Sequence, residues 1–396
     1  MNILIINSGS SSLKIKLFAK QKKSLSTLFD CQIEAIGQKH AQIVFATSKK
    51  QKKTIKKLIP DQKTALSHSL DLLLKSGIIK NLLEIEIVGH RVVHGGEKFK
   101  NPVIIDKYVV KQIKKLSKLA PLHNPANLIG IKNAQKLLKN STQIAVFDTA
   151  FHQTIPEKAF MYALPIELYQ KNKYRKYGFH GTSHKYVSEI AIKELKKRKQ
   201  NHQKIITCHI GNGVSITAVD KGKSVDTSMG FTPLEGVMMG TRSGSIDPSL
   251  PLQMLKDLKK LPLQINKILN NQSGLLGISK INSDYRLIDK AAQKKNNKAK
   301  LAIDMFAYQL AKQISSFAAT LNGLDALVFT AGIGEHSSSL RKKVCDYLEF
   351  LDLKLDHGKN IKNGKFINSN NSKIKVLCIP TNEEQEIANE CLKLKQ

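Results

Sequence analysis

The sequence predicts an α/β protein made of two similar halves, and three observations predict it. Strand-length apolar runs alternate with stretches of helical spacing along most of the 396 residues. A strand, a polar or glycine-rich turn and a second strand occur at residues 3–18 and recur at 205–219. The chain is also long enough for two domains, each with its own core. The halves are expected to face each other across a cleft, as residues 1–150 and 151–383, with the C-terminal helix 384–396 returning to the first.

The first element reads Ile3-Leu-Ile-Ile6, then Asn7, Ser8, Gly9, Ser10, Ser11 and Ser12, then Leu13-Lys-Ile-Lys-Leu-Phe18. Its small residues let successive backbone N–H groups approach an anion, and Lys14 stands one step beyond. Further strands are expected at 85–89, 102–105 and 144–147, with helices at 62–75, 107–119 and 126–139. After a helix at 184–198, strands 205–210 and 214–219 flank Gly211-Asn212-Gly213, a hairpin signal. Helices follow at 251–259 and 299–321; alanines on several faces make the second a buried central helix by this reading. Strand 326–330 then runs into Gly332 and Gly334 before a serine-rich helix start, a setting suited to an anion or nucleotide. A helix at 337–349, a strand at 374–379 and a helix at 383–394 complete the chain. No Walker A pattern and no G-x-G-x-x-G after a strand occurs, so nucleotide use here is neither P-loop nor Rossmann chemistry.

The formal net charge of +33 raises the question of a nucleic acid or membrane partner. Neither is expected: the lysines spread along the whole chain, with small clusters at 20–23, 49–57 and 193–199, without a recognition motif or interleaved aromatics. No apolar run is long enough for a membrane span, and five scattered cysteines without a C-x-x-C pair read as reduced thiols in a cytoplasm. Arginine occurs at six positions only, 91, 175, 198, 242, 286 and 341, against 64 Lys and Arg together. Where lysine serves every ordinary positive charge, an arginine marks a need for the planar fork. Arg91, Arg242 and Arg286 stand in glycine-rich or polar segments, where a bidentate grip on phosphate or carboxylate fits.

The pairs His90/His94 and His180/His184 have the i,i+4 spacing of metal ligands but lack the glutamate of H-E-x-x-H. They read instead as loop histidines donating to phosphate. Asp148, read alone, is a strand-ending cap, and Glu383 a helix-start residue favoured by the dipole.

With these residues in view, the chain resembles the acetate kinase family from end to end. The resemblance rests on Asn7–Lys14, His90–Gly96, Ala120–Pro125, Val146–His152, Tyr177–His184, His209–Gly213, Asp226–Asp247, Asp284–Arg286, Thr330–Glu335 and Pro380–Glu384. It implies two ribonuclease-H-like domains, as in actin, hexokinases and heat-shock ATPases. It also implies reversible transfer from ATP to acetate, giving ADP and acetyl phosphate, with Mg2+ or Mn2+ and in a homodimer. Carried over by position, Asn7 and Glu383 resemble the metal-site residues, and Asp148, His180 and Arg242 the catalytic ones. Arg91 resembles the carboxylate grip, with His123 beside the substrate and Val93, Leu122, Phe179 and Pro233 forming the methyl pocket. Lys14, Ser10, Ser12, His209, Ile210, Gly211, Asn212, Gly213, Asp284, Tyr285, Arg286, Gly332, Ile333, Gly334, Glu335 and His336 resemble the nucleotide site. Tyr285, His336 and Ser243 depart from the usual Phe, Asn and Cys without removing a charged catalytic group. The competing expectations are a propionate kinase, a sugar kinase and an ATP-binding protein without turnover.

Overall fold

In the computed structural model, residues 1–21, 24–48, 50–121 and 123–395 are described. The first sheet begins with β1 (Asn2–Ser8) and β2 (Ser12–Lys20), paired antiparallel so that Asn7 stands opposite Lys14. β3 (Leu25–Glu34), β4 (Ala41–Thr47) and β5 (Lys50–Lys57) continue the meander to one edge. On the other side of β1 lie β6 (Ile85–Val92) and β8 (Thr142–Phe147), both parallel, and the two-residue β7 (Val103–Ile104). The order is β5-β4-β3-β2-β1-β6-β8-β7.

The second sheet repeats the central part of this plan. β9 (Lys204–Ile210), β10 (Val214–Asp220) and β11 (Lys223–Thr227) form an antiparallel meander. β12 (Ala326–Thr330) and β13 (Lys375–Cys378) add in parallel beyond β9, giving β11-β10-β9-β12-β13. Both sheets thus hold three antiparallel strands followed by two parallel ones, in the relative order 3-2-1-4-5. The duplication expected from the two strand–turn–strand elements is present as topology. The chain divides into two compact units, Met1–Ala150 with Asn382–Gln396, and Phe151–Thr381. Asn382 and Glu383 therefore fall with the first unit, because Asn382 accepts from the Gln385 N–H at 3.2 Å and caps the C-terminal helix.

Helix Gln62–Lys75, capped by Asp61 on the Thr64 N–H at 2.7 Å, and helix Asn124–Leu137 cover one face of the first sheet. Helix Glu383–Lys395 covers the other, burying Ile387, Ala388 and Cys391 against Ile3, Ile5, Ile87 and Ile144. Strands β3 to β5 and β11 were not expected, since polar residues alternate through them. β5 carries five lysines in eight residues, a composition that keeps an edge strand from pairing with another chain. Helices Pro262–Asn271, Gly274–Ser279 and Tyr285–Gln293 are likewise additions. Helix Asn297–Thr320 is not buried all round: Ala299, Ala302, Ile303, Phe306, Leu310, Ile314 and Phe317 form one buried stripe, while Leu301 and Tyr308 are exposed. Five of its six alanines, 299, 302, 307, 311 and 318, lie on that buried side, so their spread marks one wide face rather than burial all round.

Gly89 in β6 makes room for the C-terminal helix. A Cβ there would stand 2.7 Å from Ile5 Cδ1 and 2.8 Å from Cys391 Sγ. Gly89→Ala is expected to lower stability by about 1–3 kcal/mol through overpacking, read as a lower urea midpoint at unchanged slope.

Candidate active site

The β1–β2 turn is braced from behind. Gly9 N–H donates to the Ser12 carbonyl at 2.9 Å, and Gln62 Nε2 donates to the carbonyls of Gly9 and Ser12 at 2.8 and 3.3 Å. Ser10 and Ser12 are exposed at its tip. Asn127 donates to the Ser8 carbonyl at 2.8 Å and accepts from the Val93 N–H at 3.0 Å, tying the turn to the end of β6. Asn7, Lys14, Arg91, Val93 and His123 line a cavity of about 230 Å³ beside it. Leu122 lies outside the described residues.

Two adjacent glutamates at the start of the C-terminal helix serve this cavity differently. Glu384 is buried and takes Lys14 Nζ at 2.8 Å and Lys16 Nζ at 3.6 Å. Burial alone would raise its carboxyl, but the two lysines hold it below the usual range. Glu383 faces Arg91, whose Nη2 lies 3.5 Å from Glu383 and 2.5 Å from Asp148. Burial, only partly offset by Arg91 and reinforced by Asp148, pushes the Glu383 carboxyl up. Asp148 directly follows β8 and donates its N–H to the Val92 carbonyl at 2.9 Å, which fixes it beside Arg91. Despite burial, Asp148 and Glu383 keep the Arg91 guanidinium charged. Its Nε is buried without a partner among the described residues.

In the second unit, His180 caps helix Gly181–Lys197 in the left-handed conformation, with φ 55°. A non-glycine residue there is held against its preference, a feature that clusters at functional sites. Its ring stacks on that of His209 with centroids 4.1 Å apart. His209 in turn bonds Ser183 Oγ at 2.8 Å, and Phe179 beside them is buried. A Cβ placed on Gly213 would stand 3.4 Å from His180 Nε2 and 3.5 Å from Arg242 Nη1, so both groups face the glycine turn. Gly240 seats that turn: its N–H donates to the Asn212 carbonyl at 3.0 Å, and any Cβ would strike the Asn212 side chain. Arg242 donates to the Pro233 carbonyl at 3.2 Å and contacts Met239 sulfur at 3.5 Å. Among the described residues no carboxylate pairs with it, and burial lowers its affinity for the proton. It is a cation without a counter-charge.

A cavity of about 940 Å³ opens beside this turn, lined by Gly211, Asn212, Asp284, Tyr285, Arg286, Gly332, Ile333 and His336. Asp284 caps helix Tyr285–Gln293 and holds Arg286 at 2.6 Å, and burial pushes the Tyr285 hydroxyl up to about 12. Ile210 and Gly334 pack behind the cavity, and Glu335 accepts from the Thr381 N–H at 3.0 Å. His336 Nδ1 lies 3.1 Å from the Gly332 carbonyl. Lys14 and Ser12 line the first unit's cavity rather than this one, and Ser10 lies in the first unit without lining either.

Three of the histidines expected to reach phosphate are buried instead, among them His94, whose Nδ1 accepts from the Gly96 N–H at 3.0 Å. His90 lies within β6, bonded to Gln143 at 2.8 Å and pulled down to about 4 by burial, and His184 is fully buried in its helix. Gln62, Asn127, Glu384 and Arg341 were not anticipated. Arg341 had a signal in its rarity: fully buried, it places five N–H bonds on Asn360, Asn363 and the carbonyls of Gly334 and Glu335, fixing the turn behind the large cavity.

Anion-presenting turns, a half-buried guanidinium lacking a counter-charge and a nucleotide-sized cavity define a phosphotransferase. The acetokinase family model matches residues 2–389, and the chain belongs to that family. It is 51% identical over 395 residues to the acetate kinase of Thermotoga maritima, covering 98% of this chain and 97% of that one. The crystal structure of Porphyromonas gingivalis acetate kinase matches all of both chains at a TM-score of 0.91 and 40% identity. That of a propionate kinase from Francisella tularensis matches 98% of each at 0.92 and 44%.

The raised Glu383 carboxyl binds its proton more tightly folded than unfolded. It therefore subtracts stability as pH rises above its ordinary value near 4.5. Glu383→Gln is expected to raise the melting temperature of the ligand-free protein at pH 7 and to flatten its fall as pH rises above about 4.5. A lower melting temperature would show that the attraction of Arg91 outweighs burial.

Proposed function

We propose that this chain transfers the terminal phosphoryl group of ATP reversibly to acetate, giving ADP and acetyl phosphate. The observation that carries the reading is Arg242, an uncompensated guanidinium facing a glycine turn together with His180 Nε2. Such a transfer needs in-line positioning and neutralisation of charge on the three equatorial oxygens, with little covalent help. Arg242 and His180 are assigned to those oxygens. Gly211–Gly213, Asp284–Arg286 and Gly332–His336 are assigned to the nucleotide. Arg91 is assigned to the acetate carboxylate, which its unpartnered Nε suits, and Val93, Leu122, Phe179 and Pro233 to the methyl group.

No general base is required. Acetate, with a pKa near that of Glu at about 4.3, arrives ionised at pH 7. Asp148, held by Arg91, orients the guanidinium and would accept a hydrogen bond from water on a bound metal ion. The donors here fit Mg2+: a Glu383 carboxylate only partly neutralised, the Asp148 carboxylate and the Asn7 amide are hard oxygen ligands. No group of three or more His, Cys, Asp or Glu ligands occurs among the described residues, which suits an ion that takes one or two carboxylates and leaves the rest to phosphate and water. When bound, Mg2+ or Mn2+ neutralises charge on the phosphate oxygens.

No helix among the described residues is long and apolar enough to cross a membrane, and all five cysteines are free and buried. Both agree with a cytoplasmic enzyme. Exposed Leu252, Leu261 and Leu263, the last at 80%, support a homodimer, which light scattering would register as twice the 44.1 kDa chain.

Hydroxylamine trapping of acyl phosphate with ATP and Mg2+ tests the reading, and no hydroxamate from any short acid would overturn it. The propionate kinase likeness makes propionate the second candidate; one methylene is worth about 1–3 kcal/mol, so kcat/KM for acetate is expected to exceed that for propionate by about 10- to 200-fold or less. Arg242→Lys is expected to lose on the order of 10^3 in kcat, since an ammonium cannot make the fork. Near-normal turnover would remove Arg242 from the transition state.

A further inference from the structure

Four imidazoles form a chain of ring contacts in the second unit: His180 to His209 at 4.1 Å, His209 to His184 at 6.2 Å, and His184 to His152 at 5.8 Å. His184 is wholly buried and bonded at both nitrogens, Nδ1 to Thr207 Oγ1 at 2.7 Å and Nε2 to Ser215 Oγ at 2.6 Å. The same Ser215 oxygen lies 2.9 Å from Nδ1 of His180. A hydroxyl has one proton and two lone pairs; the buried Ser215 meets only these two rings, so its proton finds an acceptor only if it donates to one ring and accepts from the other. Burial, then the neighbouring His152 and His209, holds His184 well below the ordinary histidine value, so it is neutral and carries one N–H.

Two arrangements give both nitrogens of His184 and Nδ1 of His180 a partner. In one, Thr207 donates to His184 Nδ1, His184 Nε2–H donates to Ser215, and Ser215 donates to His180 Nδ1. A neutral His180 then has its proton on Nε2. In the other, all three bonds reverse: His180 Nδ1–H donates to Ser215, Ser215 to His184 Nε2, and His184 Nδ1–H to Thr207. A cationic His180 fits this arrangement and carries a proton on Nε2. A neutral ring protonated on Nδ1 would fit it too, but the buried Thr207 hydroxyl then has no acceptor for its own proton among the described residues. With a neutral His180 the first arrangement is therefore the one that satisfies every donor. We propose that Ser215 and His184 are positioning residues that keep a proton on Nε2 of His180 whether its ring is neutral or charged.

Nε2 is the atom that matters, because it faces the Gly213 turn alongside Arg242. A neutral ring protonated on Nδ1 would offer a lone pair there and repel a phosphoryl oxygen. The charged and titratable groups around the pair include Arg242, His209 and His152. Stacking on His209 and the bond to Ser215 keep the ring from turning away.

The inference rests on His180 acting as a donor in the proposed reaction. His180→Ala with near-normal turnover would sink that reading by itself, without touching the proton positions. The relay is tested on resting enzyme labelled with 15N-histidine, the His180 signals being those lost in His180→Gln. The expected spectrum at pH 8 shows a neutral His180 with the proton on Nε2. Ser215→Ala is expected to add the Nδ1–H form and to lower kcat by about 10- to 100-fold, short of the 10²–10³ lost with a deleted donor. KM for ATP and acetate should stay within about threefold, with Ser215→Thr restoring turnover. A wild-type ring protonated on Nδ1, or a Ser215→Ala enzyme with unchanged kcat, would overturn the relay. Should that variant fail to fold, the wild-type spectrum alone decides.

Discussion

A guanidinium removed from water must be compensated, and the two units meet that demand in opposite ways. Arg91 carries its compensation in the chain, with Asp148 at 2.5 Å and Glu383 at 3.5 Å. Arg242 has a carbonyl and a sulfur and nothing anionic among the described residues. Its charge is left for a ligand to neutralise, and an interaction completed only when a phosphoryl group arrives is the kind that stabilises a transition state. The paired arginine fixes position; the unpaired one supplies attraction.

The C-terminal helix makes the first arrangement possible. Its start places Glu383 and Glu384 next to each other, where the helix dipole favours negative charge. Consecutive residues on a helix point about 100° apart, so one carboxylate meets the lysines of β2 and the other meets Arg91. Gly89 and the apolar side of the helix, Ile387, Ala388 and Cys391, set its distance from the sheet. The packing of a terminal element thereby sets the charge state of a site residue far from it in sequence.

The parts of the fold written as local pattern were legible in the sequence. The two hairpins with small-residue turns, and the strand running into Gly332, gave the duplicated sheets. The alternating strands β3 and β4 and the lysine-rich β5 were not legible, because an edge meander owes its form to neighbours rather than to its own hydrophobicity. At the site, the scarcity of arginine singled out Arg91, Arg242 and Arg286, of which Arg286 is an exposed partner of Asp284, while the rarest setting, the fully buried fork of Arg341, carried no glycine signal. The histidines misled for a related reason. Spacing cannot tell a ring that faces a ligand from one that satisfies a buried neighbour, as His90 does with Gln143.

This difference in what histidines do bears on why so much polar chemistry is buried around His180. A carboxylate nucleophile arrives without a proton to lose, so the enzyme has no base to tune and its histidine need not cycle. What it needs is a donor of fixed direction. A lone imidazole is ambiguous, with two nitrogens and a proton free to sit on either. Removing that ambiguity takes a partner on the far nitrogen, and the partner must itself be oriented. Ser215 is oriented by His184, and His184 by Thr207, each link buried within the second sheet and its covering helix. An enzyme that asks only for electrostatics thus still needs a core built around one hydrogen atom.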